Sequence, residues 1–239
     1  MSIDLAGAWE AIVRGPVFGV ALTLAAYQVG RWAWQRSGNR PWVNPVLVAV
    51  VLIGGFLALV DVEYDEYLRG GSLVGLLLGP ATVALAWPMH KELALVRRAA
   101  VPILVGVTVG AGVAVVAAVV TATLAGGSEE IALSLAPKSA TTPVSIALAE
   151  TIGGLPPLTA VLTILTGIVG AVLGPPLLTA MRVRDARVRG LAIGVSSHGV
   201  GTAQMLHEGR TAGAFSGLAM ALTALATSVW VPLLVPLLT

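Results

Sequence analysis

SLAPKSATTPVSIALAE, residues 134–150, is the stretch on which the reading of this chain turns. It sits inside a sequence built mostly of Ala, Val, Leu and Gly. Yet it holds Lys138, one of two lysines in the protein, and a Thr-Thr-Pro run at 141–143. Pro137 stops any helix arriving from before it. Thr142 is a good N-cap, with Pro143 at the first helical position, where a missing N–H costs little. The stretch reads as a helix that breaks and restarts.

Its surroundings are lipid-like. Of 239 residues, 56% are hydrophobic and only 11% charged, with a mean hydropathy of +0.91. A soluble domain carries about 25% charged residues, so the deficit points to a polytopic helical membrane protein. Aromatics are few, at 5%, and the small residues let helices approach closely. The chain has no cysteine, which excludes disulfides and thiolate metal sites. The isoelectric point near 9.4 comes from basic residues in short loops. It therefore speaks of orientation in lipid rather than of nucleic acid.

The spans come in order. The opening MSIDLAGAWEAIVR lacks the basic start of a signal peptide. Residues 7–34 read as a first span, with Arg14 snorkelling at one end. Residues 41–60 are 20 uncharged residues and make a second. Residues 70–89, 99–128 and 151–181 read as further spans, and a last one runs from 211 to the end. Segment 190–206 is apolar but too rich in Gly, Ser and His for a simple span. With the N-terminus outside, 11 of the 14 Lys and Arg fall on the cytoplasmic side: Arg31, Arg36, Arg40, Lys91, Arg97, Arg98, Arg182, Arg184, Arg187, Arg189 and Arg210. Both ends of 134–150 then lie outside, and both ends of 190–206 lie inside. Each segment must dip into the membrane and return, or form a short helix pair.

Irregular backbone is tolerated at membrane depth only where protein or a wet cavity satisfies it. In SSHGVGTAQ (196–204), Gly199 and Gly201 loosen the chain and Thr202 is placed to cap the next helix. Each broken segment thus offers a helix N-terminus, with free N–H groups and partial positive charge, from opposite sides. Beside Lys138, this favours a small anionic solute. The candidate solute-binding residues are Lys138, Ser139, Thr141, Thr142 and Pro143 in the first segment and Ser197, His198, Gly199, Gly201 and Thr202 in the second. Lys138 would offset a carboxylate, and the Thr142 and Thr202 hydroxyls would hold its oxygens. His198 would donate to a hydroxyl or keto oxygen, or titrate in proton coupling. The plainer alternatives stay open: Lys138 snorkelling to an interface, and His198 as a core histidine holding a carbonyl. At an offset of 60, Lys138 falls on His198, Thr142 on Thr202 and Gly110 on Gly170, which reads as an inverted repeat. A rival match of Leu78-Gly79-Pro80 with Leu173-Gly174-Pro175 would make a parallel one. Three scattered histidines give no metal-ligand set. Ser197-His198 lacks a buried acid, so no enzyme and no cofactor is expected.

Several segments resemble the LrgB/CidB family. They are Asn44-Pro45, YDEYLRGG (64–71), LLGPATVALA (77–86), SLAPKSATTPVSIALAE, IGGLPPLTAVLTILTGIVGAVLGP (152–175), RGLAIGVSSHGVGTAQ (189–204) and GAFSGLAM (213–220). The resemblance runs from about Asn44 to the end. It departs from the family's Thr-Ala-Arg at Gln204, which puts shared selectivity in doubt. It implies two functions. One is an antiholin-like regulator of murein hydrolases and autolysis, acting with a holin-like partner of the LrgA/CidA type. The other is a carrier, since a plastid relative is similar to a glycolate/glycerate translocator and bacterial relatives are linked to pyruvate or acetate.

The expectation is an all-α polytopic protein of the bacterial cytoplasmic membrane, in one domain over 1–239. It has about six spans plus two broken or re-entrant segments. Residues 7–98 would form a scaffold, 99–210 the solute-binding core and 211–239 the last span. The expected partners are a small anionic solute, lipid, a holin-like protein and a second copy of the chain, a dimer being favoured. The carrier, working by alternating access on small monocarboxylates, is the preferred reading and the regulator its alternative.

Overall fold

The computed structural model describes residues 13, 15–40, 42–84 and 86–238, with the backbone alone for Leu78 and Thr82. The expected start of the first span at Gly7, Arg14 and the Pro41 start of the second span lie outside these residues. Everything regular among the described residues is helical, and the chain divides into two compact units after Ala84.

The first unit holds α1 (Pro16–Arg36), α2 (Pro45–Val60), α3 (Tyr64–Gly75) and α4 (Leu78–Ala84). The Asn44-Pro45 pair explains the start of α2. Asn44 Oδ1 accepts from the N–H groups of Val46 (2.9 Å) and Leu47 (3.3 Å), and Pro45 takes the first helical position. Glycines set the spacing: a Cβ on Gly30 would crowd the Pro45 carbonyl, and one on Gly70 would overlap that of Pro16.

The second unit holds α5 (Ala86–Lys91), α6 (Leu93–Arg98), α7 (Ala100–Leu124), α8 (Glu129–Leu135), α9 (Thr142–Ile152), α10 (Pro156–Ala180), α11 (Ala186–Glu208) and α12 (Arg210–Leu238). The last helix is its axis. Phe215, Ala219, Thr223, Thr227, Val231 and Val235 recur every fourth residue and are all buried. Phe215 and Ala219 pack with Ile103 and Val107 of α7. Val231 and Val235 pack with Val115 and Val119 of α7, Ala132 and Leu133 of α8, and Ala136 just after it.

Four stretches are long and apolar enough to cross a membrane: Tyr64–Lys91, Ala100–Leu124, Pro156–Ala180 and Arg210–Leu238. Their outer faces keep exposed Val, Leu and Ile, as a lipid-facing surface requires. The protein is therefore an all-helical polytopic membrane protein. Two spans depart from expectation. The third, expected as one run over 70–89, is a chain of short helices in which Pro80 and Pro88 each sit within a first turn. The second is a helix of 16 residues, about 24 Å long against a hydrocarbon layer of about 30 Å.

The 190–206 segment folds back on itself. α11 is two helices joined at His198, whose backbone angles (φ 37°, ψ −132°) are not helical and where the chain reverses. Arg189 and Glu208, nineteen residues apart, meet at 2.8 and 2.9 Å, and Met205 shares a core cluster with Ile193. A straight helix would hold Ile193 and Met205 about 18 Å apart. This helical hairpin is pressed against α12. A Cβ on Gly190 would overlap the Ala212 carbonyl, and one on Gly194 the Ser216 carbonyl. Gly194→Val should therefore cost about 3 kcal/mol or more, because backbone cannot move aside as a side chain does. Gly54→Val, with no atom within 4 Å of the new Cβ, should cost nothing measurable. Thermal unfolding in detergent compares the two, and equal melting temperatures would contradict the packing described.

Candidate functional site: two hairpin tips and a shared cavity

Residues 134–150 make a second helical hairpin. α8 enters, residues 136–141 turn, and α9 runs back, so that Gly154 packs on the backbone of Ser134. Hydroxyls fasten it. Ser134 Oγ donates to the Glu130 carbonyl (2.6 Å) and accepts from the Leu155 N–H (2.8 Å). Thr159 Oγ1 donates to the Ser134 carbonyl (3.0 Å). At the tip, Ser145 Oγ, fully buried, donates to the Pro137 carbonyl (2.7 Å), which also accepts from the Ala140 N–H (3.0 Å). The helix restarts at Thr142, so Thr141 and not Thr142 occupies the cap, and its side chain makes no capping bond. Pro143 thus falls one place deeper than expected. The Ser145 bond across the turn takes over the work of fixing the tip.

The tip of the other hairpin is fixed differently from expectation. Gly199 and Gly201 were the expected loose points, but the reversal falls on His198. Its ring compensates: Nε2–H donates to the Thr163 carbonyl of α10 at 2.7 Å, and the ring lies where a Gly167 side chain would be. Gly201 serves a close approach instead, since a Cβ there would overlap Ser197 and Ile193. Thr202 does not cap. Its Oγ1 donates to the His198 carbonyl (2.8 Å) and lies 2.9 Å from Ser216 Oγ of α12.

Between the two tips lies a partly open cavity of about 480 Å³. Lys138 and Ser139 line it from one tip, Val195 and Ser196 from the other. Gly110 and Ala114 of α7 and Thr166, Val169 and Gly170 of α10 form its walls. Lys138 is its one charged lining residue. The ammonium takes part in no ion pair or hydrogen bond among the described residues. Gly110 and Gly170, paired by the 60-residue offset, face this space together. Of the ten candidate residues, Lys138 and Ser139 line the cavity. Ser197, His198, Gly201 and Thr202 are buried behind the second tip. Thr141 and Thr142 are half-buried, Pro143 and Gly199 exposed, and none of the four is a lining residue. Ser196 was missed: it lines the cavity, with its Oγ 3.0 Å from Ser197 Oγ. Ser145 and Thr163 were missed as well. A Ser or Thr in an apolar run gives no sign of which carbonyl it will meet. Among the described residues no group of acids and histidines is arranged for a metal ion.

The family model of the LrgB-like family matches residues 23–237. The chain belongs to the LrgB-like family. It is 38% identical to the uncharacterized protein YxaC of Bacillus subtilis (strain 168), over 90% of this chain and 94% of that protein. It is 34% identical to YwbG of the same organism, over 91% and 96%. It is also 30% identical to the antiholin-like protein LrgB of Bacillus mycoides (strain KBAB4), over 92% and 96%. No solved structure matches.

The LrgB-like hairpin tip gives a test of why histidine stands at 198. Its backbone angles are ones that side chains rarely adopt, which costs about 1–3 kcal/mol. His198→Gly removes the ring but also the strain. His198→Ala removes the ring and keeps the strain. The alanine variant should unfold at the lower temperature in detergent. The reverse order would mean that the backbone at 198 is unstrained.

Proposed function

We propose that this LrgB-like protein is a secondary carrier of small monocarboxylates of the glycolate, glycerate or pyruvate kind, working by alternating access. One observation carries the reading: two broken-helix tips converge on one cavity in which Lys138 is the sole charge. A cation at membrane depth is costly, by about 2.5–3.5 kcal/mol on insertion scales, and a carboxylate entering the cavity offsets that cost. Ser139 and Ser196 line the same cavity as the lysine, and on this reading the Ser196 hydroxyl turns from the Ala192 carbonyl, to which it donates at 2.9 Å, to a carboxylate oxygen. His198 acts through the tip it holds and does not reach the solute. The proposed inverted repeat draws support from two long helices of 25 residues, each followed by a hairpin, and from the pairing of Gly110 with Gly170 at the cavity. In this reading the N-terminus and Glu129 face outward, and the loop carrying Arg187 faces the cytoplasm of a bacterial cell. A dimer of this chain remains the proposed assembly.

The second reading, an antiholin-like regulator of murein hydrolase activity acting with a holin-like membrane partner, is the one favoured by the relatives' names. No relative named above is called a transporter. The two readings part on measurement. Purified protein in liposomes should take up labelled glycolate, glycerate or pyruvate. Lys138→Ala should abolish uptake, and Lys138→Arg should keep part of it. Uptake indifferent to Lys138→Ala would remove the site, and no uptake at all with altered autolysis in cells lacking the gene would favour the regulator. Orientation has its own check in this cysteine-free chain: Glu129→Cys should react with an impermeant thiol reagent added outside intact cells, and Arg187→Cys should not.

A further inference from the structure

Lys138 lines a second cavity as well. This one measures about 470 Å³ and lies along α7 and α8, bounded by Ala117, Thr121, Ala125, Gly127 and Ile131. The first cavity meets α7 at Gly110 and Ala114. Together the lining positions of α7 and its C-cap are 110, 114, 117, 118, 121, 122 and 125, which fall on one broad face of a helix. Fifteen residues of helix cover about 22 Å. That span runs from the first cavity at Gly110 to the C-cap of α7 at Ala125, four residues before Glu129 and Glu130 at the start of α8. Every residue on this face is Gly, Ala or Thr, so nothing bulky interrupts it. Ala117, Thr121 and Ala125 on this face are exposed, as are the flanking Val113, Val116 and Val120, so the second cavity is an open groove along the helix.

We propose, resting on the carrier reading, that this second cavity is the solute's entry limb and that Lys138 is the neck between limb and site. The small residues of α7 give the width and the lysine gives the sign. Walls without charge let a small carboxylate pass only toward a cation, and the one cation touches both spaces. The ammonium reaches a carboxylate in either cavity, so the solute keeps its counter-charge while it moves between them. The mouth of the limb lies on the membrane side that carries Glu129 and Glu130.

Single cysteines read this route. Thr121→Cys probes the limb, Ala114→Cys the central cavity and Val120→Cys the flanking face, each in reconstituted protein whose own uptake is measured alongside. Thr121→Cys and Ala114→Cys should both react with a membrane-impermeant anionic thiosulfonate added on the Glu129 side, while Val120→Cys stays inert. The anionic reagent should outpace a cationic one by about tenfold at both sites, and Lys138→Gln should erase that preference. Saturating glycolate should slow the reaction at Ala114→Cys. Thr121→Trp should block uptake and Val120→Trp should not. An inert Thr121→Cys beside a reactive, glycolate-protected Ala114→Cys would overturn the route and leave the carrier reading standing. Ala114→Cys that no carboxylate protects, in protein that moves none of them, would remove the carrier reading and the route with it.

Discussion

A chain that turns back inside a hydrocarbon layer frees carbonyl and N–H groups that lipid cannot satisfy. Both reversals in this protein are answers to that constraint, and several buried polar side chains of the second unit are spent on it. At the first tip, Ser145 holds the Pro137 carbonyl, and toward the base of the hairpin Ser134 and Thr159 tie the backbone of α8 to the start of α10. At the second tip, Thr202 holds the His198 carbonyl and the His198 ring holds that of Thr163. Each of these bonds is modest in water, about 1 kcal/mol. At membrane depth the alternative is a bare polar group, so their loss would cost more than their presence adds.

The two hairpins are fastened at their bases by unlike means. At the base of the second, Arg189 binds Glu208 through two nitrogens and also reaches Thr179 Oγ1 and the Val183 and Pro175 carbonyls of the α10 end. Asp185 starts the same helix. Its carboxylate accepts from the Arg187 guanidinium and N–H, which hold its pKa at about 2. The Arg187 contact is solvent-exposed, so it fixes geometry more than it adds stability. Among the described residues, the base of the first hairpin is held by the neutral bonds of Ser134. Glu129 and Glu130 stand exposed at its start and complement the helix N-terminus there.

The sequence was legible where a single physical rule governed it. Low charge and long apolar runs gave the membrane class. Pro137 and the Thr-Thr-Pro run marked the first break. Counting arginines predicts that both ends of 190–206 share one side, and the Arg189–Glu208 contact brings those two ends together. Legibility failed where packing chose between equivalent local solutions. Gly199 and Gly201 were the obvious points for a reversal, but His198 carries it, because its ring finds a carbonyl on α10 while Gly201 is needed for contact with Ser197 and Ile193. Thr202 looked like a cap and instead bonds backward. Ser145 and Ser196 differ from other serines of the chain only in which face of a helix they occupy, and that is decided by neighbours far away in sequence.

The lysine sharpens the contrast between structural and functional polarity. Much of the polarity at the tips is paired within the protein: Ser145 and Thr202 to tip carbonyls, His198 to Thr163, Ser197 to Ser196. These contacts close on themselves and need nothing from outside. Among the described residues that line the cavity, Lys138 is the one charge, and none of them is a carboxylate. A buried acid beside it would have been the cheaper arrangement for stability, since it would neutralise the charge permanently. It would also have made the cavity indifferent to anions. Leaving the charge without a protein partner sacrifices stability for an electrostatic demand that a mobile carboxylate can meet, and on the carrier reading that demand selects the solute by sign before any hydroxyl reads its shape.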